Sequence, residues 1–390
     1  MKKFFVYDDE KHNGEMYVNS LRRLDAVTSE FEVEPMSHRD FASQMEELQR
    51  RQMKLSQEDE TLEDSCDLDK TSIFVIDYAL LNVPGQVSFL TGERVAYLTR
   101  CFSNCSYIIG LNQFGQNTFD LTLTGHPESF ADLNIGSKQL DNPGLWDGEK
   151  AAFRPWYWPQ VPSYLKSFQE RVDDVKSHPK DPICDLLGIK DIIRFFPRKV
   201  SEFLGDNPSE ATFYDFVVKS GNGLQGRDRN ANADMIGRIG AARVSKWLER
   251  LVFPGQDILV DAPHLASRCP SLLKGDHSLP ETWNKTASFG SFKEVNLDHD
   301  AIEEFRFKKH MWLSRPAWLW GKLSEYRKIR EISEPWKREE TRYQFCEDMS
   351  GFLEKERCRD FVAESDSPYV RRFLRYFEDV EYRPKVRLFQ

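Results

Sequence analysis

The chain has 390 residues, more than one hydrophobic core usually organises, so two domains are expected. Its 63 acidic and 54 basic residues leave a net charge of -9, which argues against a surface built throughout for nucleic acid but leaves room for a local basic patch. Seven cysteines with no repeated C-x-x-C pair argue against structural zinc and for a reducing compartment. The early acids after MKKFFVY argue against a signal peptide, and no apolar run approaches the roughly 20 residues of a membrane span, so a cytoplasmic protein without membrane contact is expected.

In chain order, residues 3–7 form a short apolar run that predicts a strand, followed at once by Asp8, Asp9 and Glu10. Helical spacing at residues 17–27 precedes a second, more exposed strand through Phe31, Val33 and Pro35. Residues 41–55 predict a helix, and the acidic stretch 56–70 an exposed loop or the frayed end of that helix. In SIFVIDYALLNVP, Ile73, Phe74, Val75 and Ile76 suit a strand buried on both faces and ending on the carboxylate of Asp77.

A helix over 92–102, a fourth strand through Tyr107, Ile108 and Ile109 ending at Asn112, and a fifth over 130–135 leading to Lys138 follow. Residues 117–124 alternate like a strand where a helix is expected. Asn142 and Pro143 read as N-cap and first-turn residues. This alternation predicts a parallel five-stranded sheet in the order 2-1-3-4-5 with helices on both faces.

Strands one and three are then neighbours, and Asp8, Asp9 and Asp77 fall within a few ångströms of one another. Three converging carboxylates repel, so they raise a pKa or call for a cation. One weak Mg²⁺ or Mn²⁺ site of oxygen ligands completed by waters is expected. The bland alternative is that strands end in polar residues at the surface.

An acidic pair after the first strand, a lone Asp after the third, a polar residue after the fourth and a Lys after the fifth resemble the response-regulator receiver domain, over about the first 150 residues. The resemblance implies a flavodoxin-like doubly wound α/β fold with Asp77 as phosphoacceptor, Asp8 and Asp9 holding magnesium with it, and Lys138 meeting the phosphoryl group. Asn112 or Gln113 stands where the family has Thr or Ser, Gln139 where it has Pro, and the interval from Asp9 to Asp77 is long, its excess lying in 56–70. An Asn amide can still donate to a phosphoryl oxygen.

Prolines in FRPWYWPQVPSY and SHPKDP mark a stiff junction at 156–182 between a receiver-like region, 1–155, and a mainly helical effector or interaction region, 183–390. Helices are expected at 183–196, 211–218, 233–252, 301–307, 318–332, 343–361 and 369–380. Tryptophans in Arg-rich surroundings suit a satellite core, with a partner surface as the competing reading.

The Gly-rich loop 219–230 lacks a phosphate-loop signature. His264, near Asp257, Asp261 and Cys269, suits a structural polar role better than a catalytic one, and His299 and His310 have no stronger claim. Arg371, Arg372, Arg375, Arg383, Lys385 and Arg387 interleave with aromatics, which suits helix packing with a charged outer face first and nucleic-acid contact second.

The whole suggests a signalling protein in which an atypical receiver controls a helical region through a protein partner or self-association, with or without phosphorylation of Asp77. Alternatives are a magnesium-dependent phosphohydrolase or nuclease using Asp8, Asp9 and Asp77, and an unphosphorylated docking scaffold.

Overall fold

The structure is a computed structural model and describes residues 1–56, 66–80, 90–112, 129–148, 153–219, 223–224, 231–287, 292–332, 341–363, 369, 371–380 and 382. Its first part is a parallel five-stranded sheet of β1 (Lys2–Tyr7), β2 (Phe31–Pro35), β3 (Thr71–Asp77), β4 (Tyr107–Asn112) and β5 (Leu133–Gly136). The strand order is β2-β1-β3-β4-β5. Central β3 is buried on both faces, which requires the unbroken apolar run Ile73 to Ile76, whereas edge strand β2 alternates buried and exposed positions.

Helices α1 (Lys11–Leu21), α2 (Asp25–Thr28), α3 (His38–Ser56) and α4 (Gly92–Phe102) lie between the strands. α1 packs on β1 and β2, and α3 packs on α4. Asn142 caps the Pro143–Trp146 helix, its side chain accepting from the Gly144 amide at 2.9 Å, and Trp146 lies on Phe4 with ring centroids 5.6 Å apart. Trp156 and Trp158 of the junction are buried in the core.

Beyond residue 182 the chain is mainly helical. Its longest helix there among the described residues, Ala233–Trp247, packs on α4 and on the Phe168–Ser177 helix. Gly237 permits that approach, since a Cβ there would lie 2.6 Å from Lys176 Cγ and 3.1 Å from Val172 O. No helix among the described residues is long and apolar enough to cross a membrane.

Among the described residues, two of the expected helices are absent and a third is cut to one turn. The segment at 318–332 opens with β7 (Ala317–Leu319), which pairs antiparallel with β6 (Leu259–Asp261) before a single helical turn. Residues 343–361 form β8 (Tyr343–Cys346), β9 (Gly351–Glu354) and β10 (Arg359–Val362), and 369–380 contains β11 (Arg371–Leu374); the four make a sheet ordered β10-β11-β8-β9. The aromatics Tyr343, Phe345 and Phe352 prefer a pleated, half-buried surface. Ser350, at φ 47°, closes the β8–β9 hairpin with a turn that no helix tolerates.

Candidate metal centre

The register of the sheet assembles the site. Tyr7 of β1 lies opposite Ile76 of β3, so the next residues, Asp8 and Asp77, emerge side by side at the carboxyl edge, with Asp9 beside them. One oxygen from each of the three carboxylates lies within 4.8 Å of the others. Exposure is 3% at Asp8, 8% at Asp9 and nil at Asp77. The Glu10 amide donates to Asp8 Oδ1 at 2.8 Å, but among the described residues nothing donates to Asp8 Oδ2 or to either oxygen of Asp77.

Buried like charges resist ionisation. Burial, with the Asp8 carboxylate next, pushes Asp77 up from 3.8 to about 6. The nearby Tyr78 and Ala79 amides oppose this only in part, since neither makes a hydrogen bond to Asp77 and the Tyr78 N–H is given to Leu111 O at 3.0 Å. Asp8 is raised by burial too, the Glu10 amide pulling it back and Asp9 pushing it further. The hydroxyls of Tyr7 and Tyr17 are also raised. For Tyr7, burial leads and Asp9 and Asp8 add to it; for Tyr17, burial leads, Ser137 opposes, and Asp8 and Asp77 add. Tyr17 and Ser137 therefore flank the cluster, which their helical and turn spacing alone did not indicate. Orphaned carboxylate oxygens in a buried cluster suit a hard divalent cation.

Asn112 ends β4 one position beyond Leu111, the register partner of Asp77, and pairs with Gly136 of β5; its side chain and Gln113 lie outside the described residues. Lys138 sits in the 3-10 turn after β5 with its side chain exposed, and among the described residues it forms no ion pair with the cluster. The structure thus brings together Asp8, Asp9 and Asp77, and sets Asn112 and Lys138 along the same sheet edge.

α4 closes against the cluster from behind. Gly92 is indispensable there, since a Cβ would stand 2.6 Å from Tyr78 Cα and 2.7 Å from Asp77 O. The next residue, Glu93, accepts from Tyr78 Oη at 3.2 Å, Ser129 Oγ at 2.7 Å and the Phe130 amide at 2.5 Å. Ser129 O in turn accepts from Arg243 Nη1 at 2.6 Å and Lys246 Nζ at 2.8 Å, both on the Ala233–Trp247 helix. A chain of contacts therefore runs from the residue after Asp77 into the second region.

A second buried polar group gathers around His264. Its Nδ1 is 2.6 Å from Asp261 Oδ1 and its Nε2 is 3.1 Å from Glu347 Oε1 and 3.0 Å from Arg372 Nη1. Arg372 also donates to Glu347 Oε1 at 2.6 Å and to Pro254 O at 2.6 Å, while Trp156 Nε1 donates to Glu347 Oε2 at 2.7 Å. Burial raises the Glu347 carboxyl, but Arg372 and His264 outweigh it and hold the group below its ordinary range. Among the described residues, Cys269 takes no part in these contacts. Of the basic tail residues, Arg372 is buried here and Arg371 pairs with Asp360 at 2.7 Å; Arg383, Lys385 and Arg387 lie outside the described residues, as do 57–65, 117–124 and most of the Gly-rich loop.

No protein-family model, no curated protein and no solved structure matches the chain, so the chemistry of the site rests on its own geometry.

Proposed function

We propose that the first region is an atypical receiver whose Asp77 accepts a phosphoryl group and thereby regulates the helical region, which engages a protein partner or a second copy. The observation that carries this reading is the set of orphaned, buried carboxylate oxygens at the carboxyl edge between β1 and β3. A structural ion cluster would have met them with cations of its own.

In the proposed step an Asp77 oxygen attacks phosphorus and the donor's leaving group departs with the other bonding pair, giving an acyl phosphate. A weakly held Mg²⁺ or Mn²⁺ on Asp8, Asp9 and Asp77 would supply charge neutralisation. Lys138, exposed on the turn after β5 along the same sheet edge, carries the charge that would meet the phosphoryl oxygens. Asp8 and Asp9 would hold the cation from the β1 side, and Tyr78, next in the chain after Asp77 and bonded to Glu93, would pass the change at Asp77 on to α4. Because Asp77 is completely buried, this edge must open before a donor reaches it.

Intact mass after incubation with a small phosphodonor and magnesium tests the proposal. A phosphoryl adduct on the wild type, lost in Asp77→Asn, is expected. No adduct at any donor or magnesium concentration would leave the docking scaffold as the better account. Magnesium-dependent turnover of a phosphate ester, abolished by Asp77→Ala, would favour the phosphohydrolase or nuclease.

A further inference from the structure

The C-terminal sheet brings together two cysteines that spacing does not single out. Cys346 ends β8 and is buried, while Cys358 follows the Lys355–Arg357 turn between β9 and β10 and is partly exposed. Their Sγ atoms are 3.4 Å apart, across 12 positions of sequence. Both sulfurs sit over the same hairpin: Cys358 Sγ is 3.3 Å from Glu354 O and 3.8 Å from Leu353 O, and Cys346 Sγ is 4.0 Å from Gln344 O.

The other five cysteines are buried. Burial pushes Cys66 up to about 11 and Cys101, Cys105, Cys184 and Cys269 up to about 12, so all five remain unreactive thiols near neutral pH. Cys346 is raised as well, first by the Cys358 sulfur beside it and then by burial, so the close pair differs in its geometry: one sulfur lies within reach of solvent and a second waits behind it at 3.4 Å. That is the arrangement of an attacking and a resolving thiol.

We propose that Cys346 and Cys358 are a reversible dithiol–disulfide site oxidised by a peroxide. The Cys358 sulfur attacks one peroxide oxygen, the O–O bond breaks, and the departing hydroxide takes the thiol proton and leaves as water. The Cys358 sulfenic acid that remains is attacked by the Cys346 sulfur; the S–S bond forms, the S–O bond breaks, and the oxygen leaves as a second water with the Cys346 proton. Two electrons pass from the thiols to the peroxide. The sulfurs close from 3.4 Å to about 2.05 Å, which rotation about the two χ1 bonds supplies.

The cross-link would reach the rest of the molecule through the two residues after Cys346. Glu347 holds Trp156, His264 and Arg372, and Asp348 accepts the Arg375 and Tyr376 amides at 2.8 and 2.9 Å. Oxidation thus fixes the hairpin that binds the junction to the C-terminal sheet, independently of Asp77.

The test treats the full chain with hydrogen peroxide under native conditions, blocks remaining thiols after denaturation, and maps peptides without reduction. The expected product joins tryptic peptide 343–355 to peptide 358–359 with loss of two hydrogens and returns to thiols with dithiothreitol. In the oxidised protein, amide exchange in β8 to β11 should slow by about tenfold, because the link removes open conformations. Cys358→Ser should leave all six remaining thiols unoxidised and give no intramolecular link. The proposal is overturned by sulfinic acid on Cys358 without a cross-link, by a link between other cysteines, or by no oxidation at all. The wild-type peptide map decides the matter even if a variant folds poorly.

Discussion

The molecule buries charge in two places on opposite terms. At the carboxyl edge of the parallel sheet, Asp8, Asp9 and Asp77 stand within 4.8 Å and, among the described residues, Asp8 Oδ2 and both Asp77 oxygens are orphaned, whereas around His264 carboxylates alternate with Arg372 and an imidazole. Asp261 Oδ2 in that second group lacks a hydrogen bond, but Arg315 Nη1 stands 3.9 Å from it. Charges that answer one another hold three distant segments together. Charges that repel one another store free energy that a proton or a cation can release. Burial alone therefore does not mark a functional site; burial without a partner does.

The largest expected effect breaks the matched group. Glu347→Ala leaves Arg372 buried without its carboxylate and Trp156 without an acceptor, and should cost about 3–5 kcal/mol in urea denaturation. A loss below about 1 kcal/mol would mean that water replaces the lost partner and that the matched group is not a structural staple.

Next, Asp77→Asn should stabilise the metal-free protein. A carboxyl whose folded pKa is raised from 3.8 to about 6 contributes stability below pH 3.8 that is lost as pH rises through 6. Replacing it by a neutral amide should therefore gain nothing near pH 3.5 and up to about 3 kcal/mol at pH 7. Chemical denaturation of both proteins across that range checks the sign. A destabilised Asp77→Asn at pH 7 would show that the carboxylate has a partner in solution.

Magnesium sharpens the same contrast at a smaller scale. At tenfold over its Kd a cation binding only the folded state adds about 1.4 kcal/mol. That gain should appear in the wild type, vanish in Asp9→Asn and Asp77→Asn, and survive in a Glu347 variant that still folds. Titration calorimetry and thermal unfolding read it directly.

The two regions also differed in how openly their sequences announced them. β1 and β3 are unbroken apolar runs ending in acids, and the alternation of strands with helical periods admits one sensible order, so the sheet and the meeting of Asp8, Asp9 and Asp77 follow from local pattern. β8 to β11 are strands of four residues whose aromatics fit a helical period almost as well as an alternating one. The contacts of His264 with Glu347 and Arg372 span 83 and 108 residues, beyond any local pattern. Tyr78 and Glu93 were equally hidden, because their contact depends on Gly92 drawing α4 onto the end of β3.

That contact yields the smallest energetic effect and the most direct test of communication between the regions. Tyr78→Phe removes one hydroxyl from Glu93, whose carboxylate keeps Ser129 Oγ and the Phe130 amide, so the cost should be about 0.5–1.5 kcal/mol. The Asp8, Asp9 and Asp77 carboxylates are untouched, and magnesium should bind as before. What should change is the response of the Ala233–Trp247 helix, whose Arg243 and Lys246 reach Ser129 O. In the wild type, magnesium should alter amide exchange along that helix; in Tyr78→Phe the alteration should shrink while calorimetric binding stays. If both proteins respond alike, the signal travels by the packing of α4 itself, and the hydroxyl serves only to anchor Glu93.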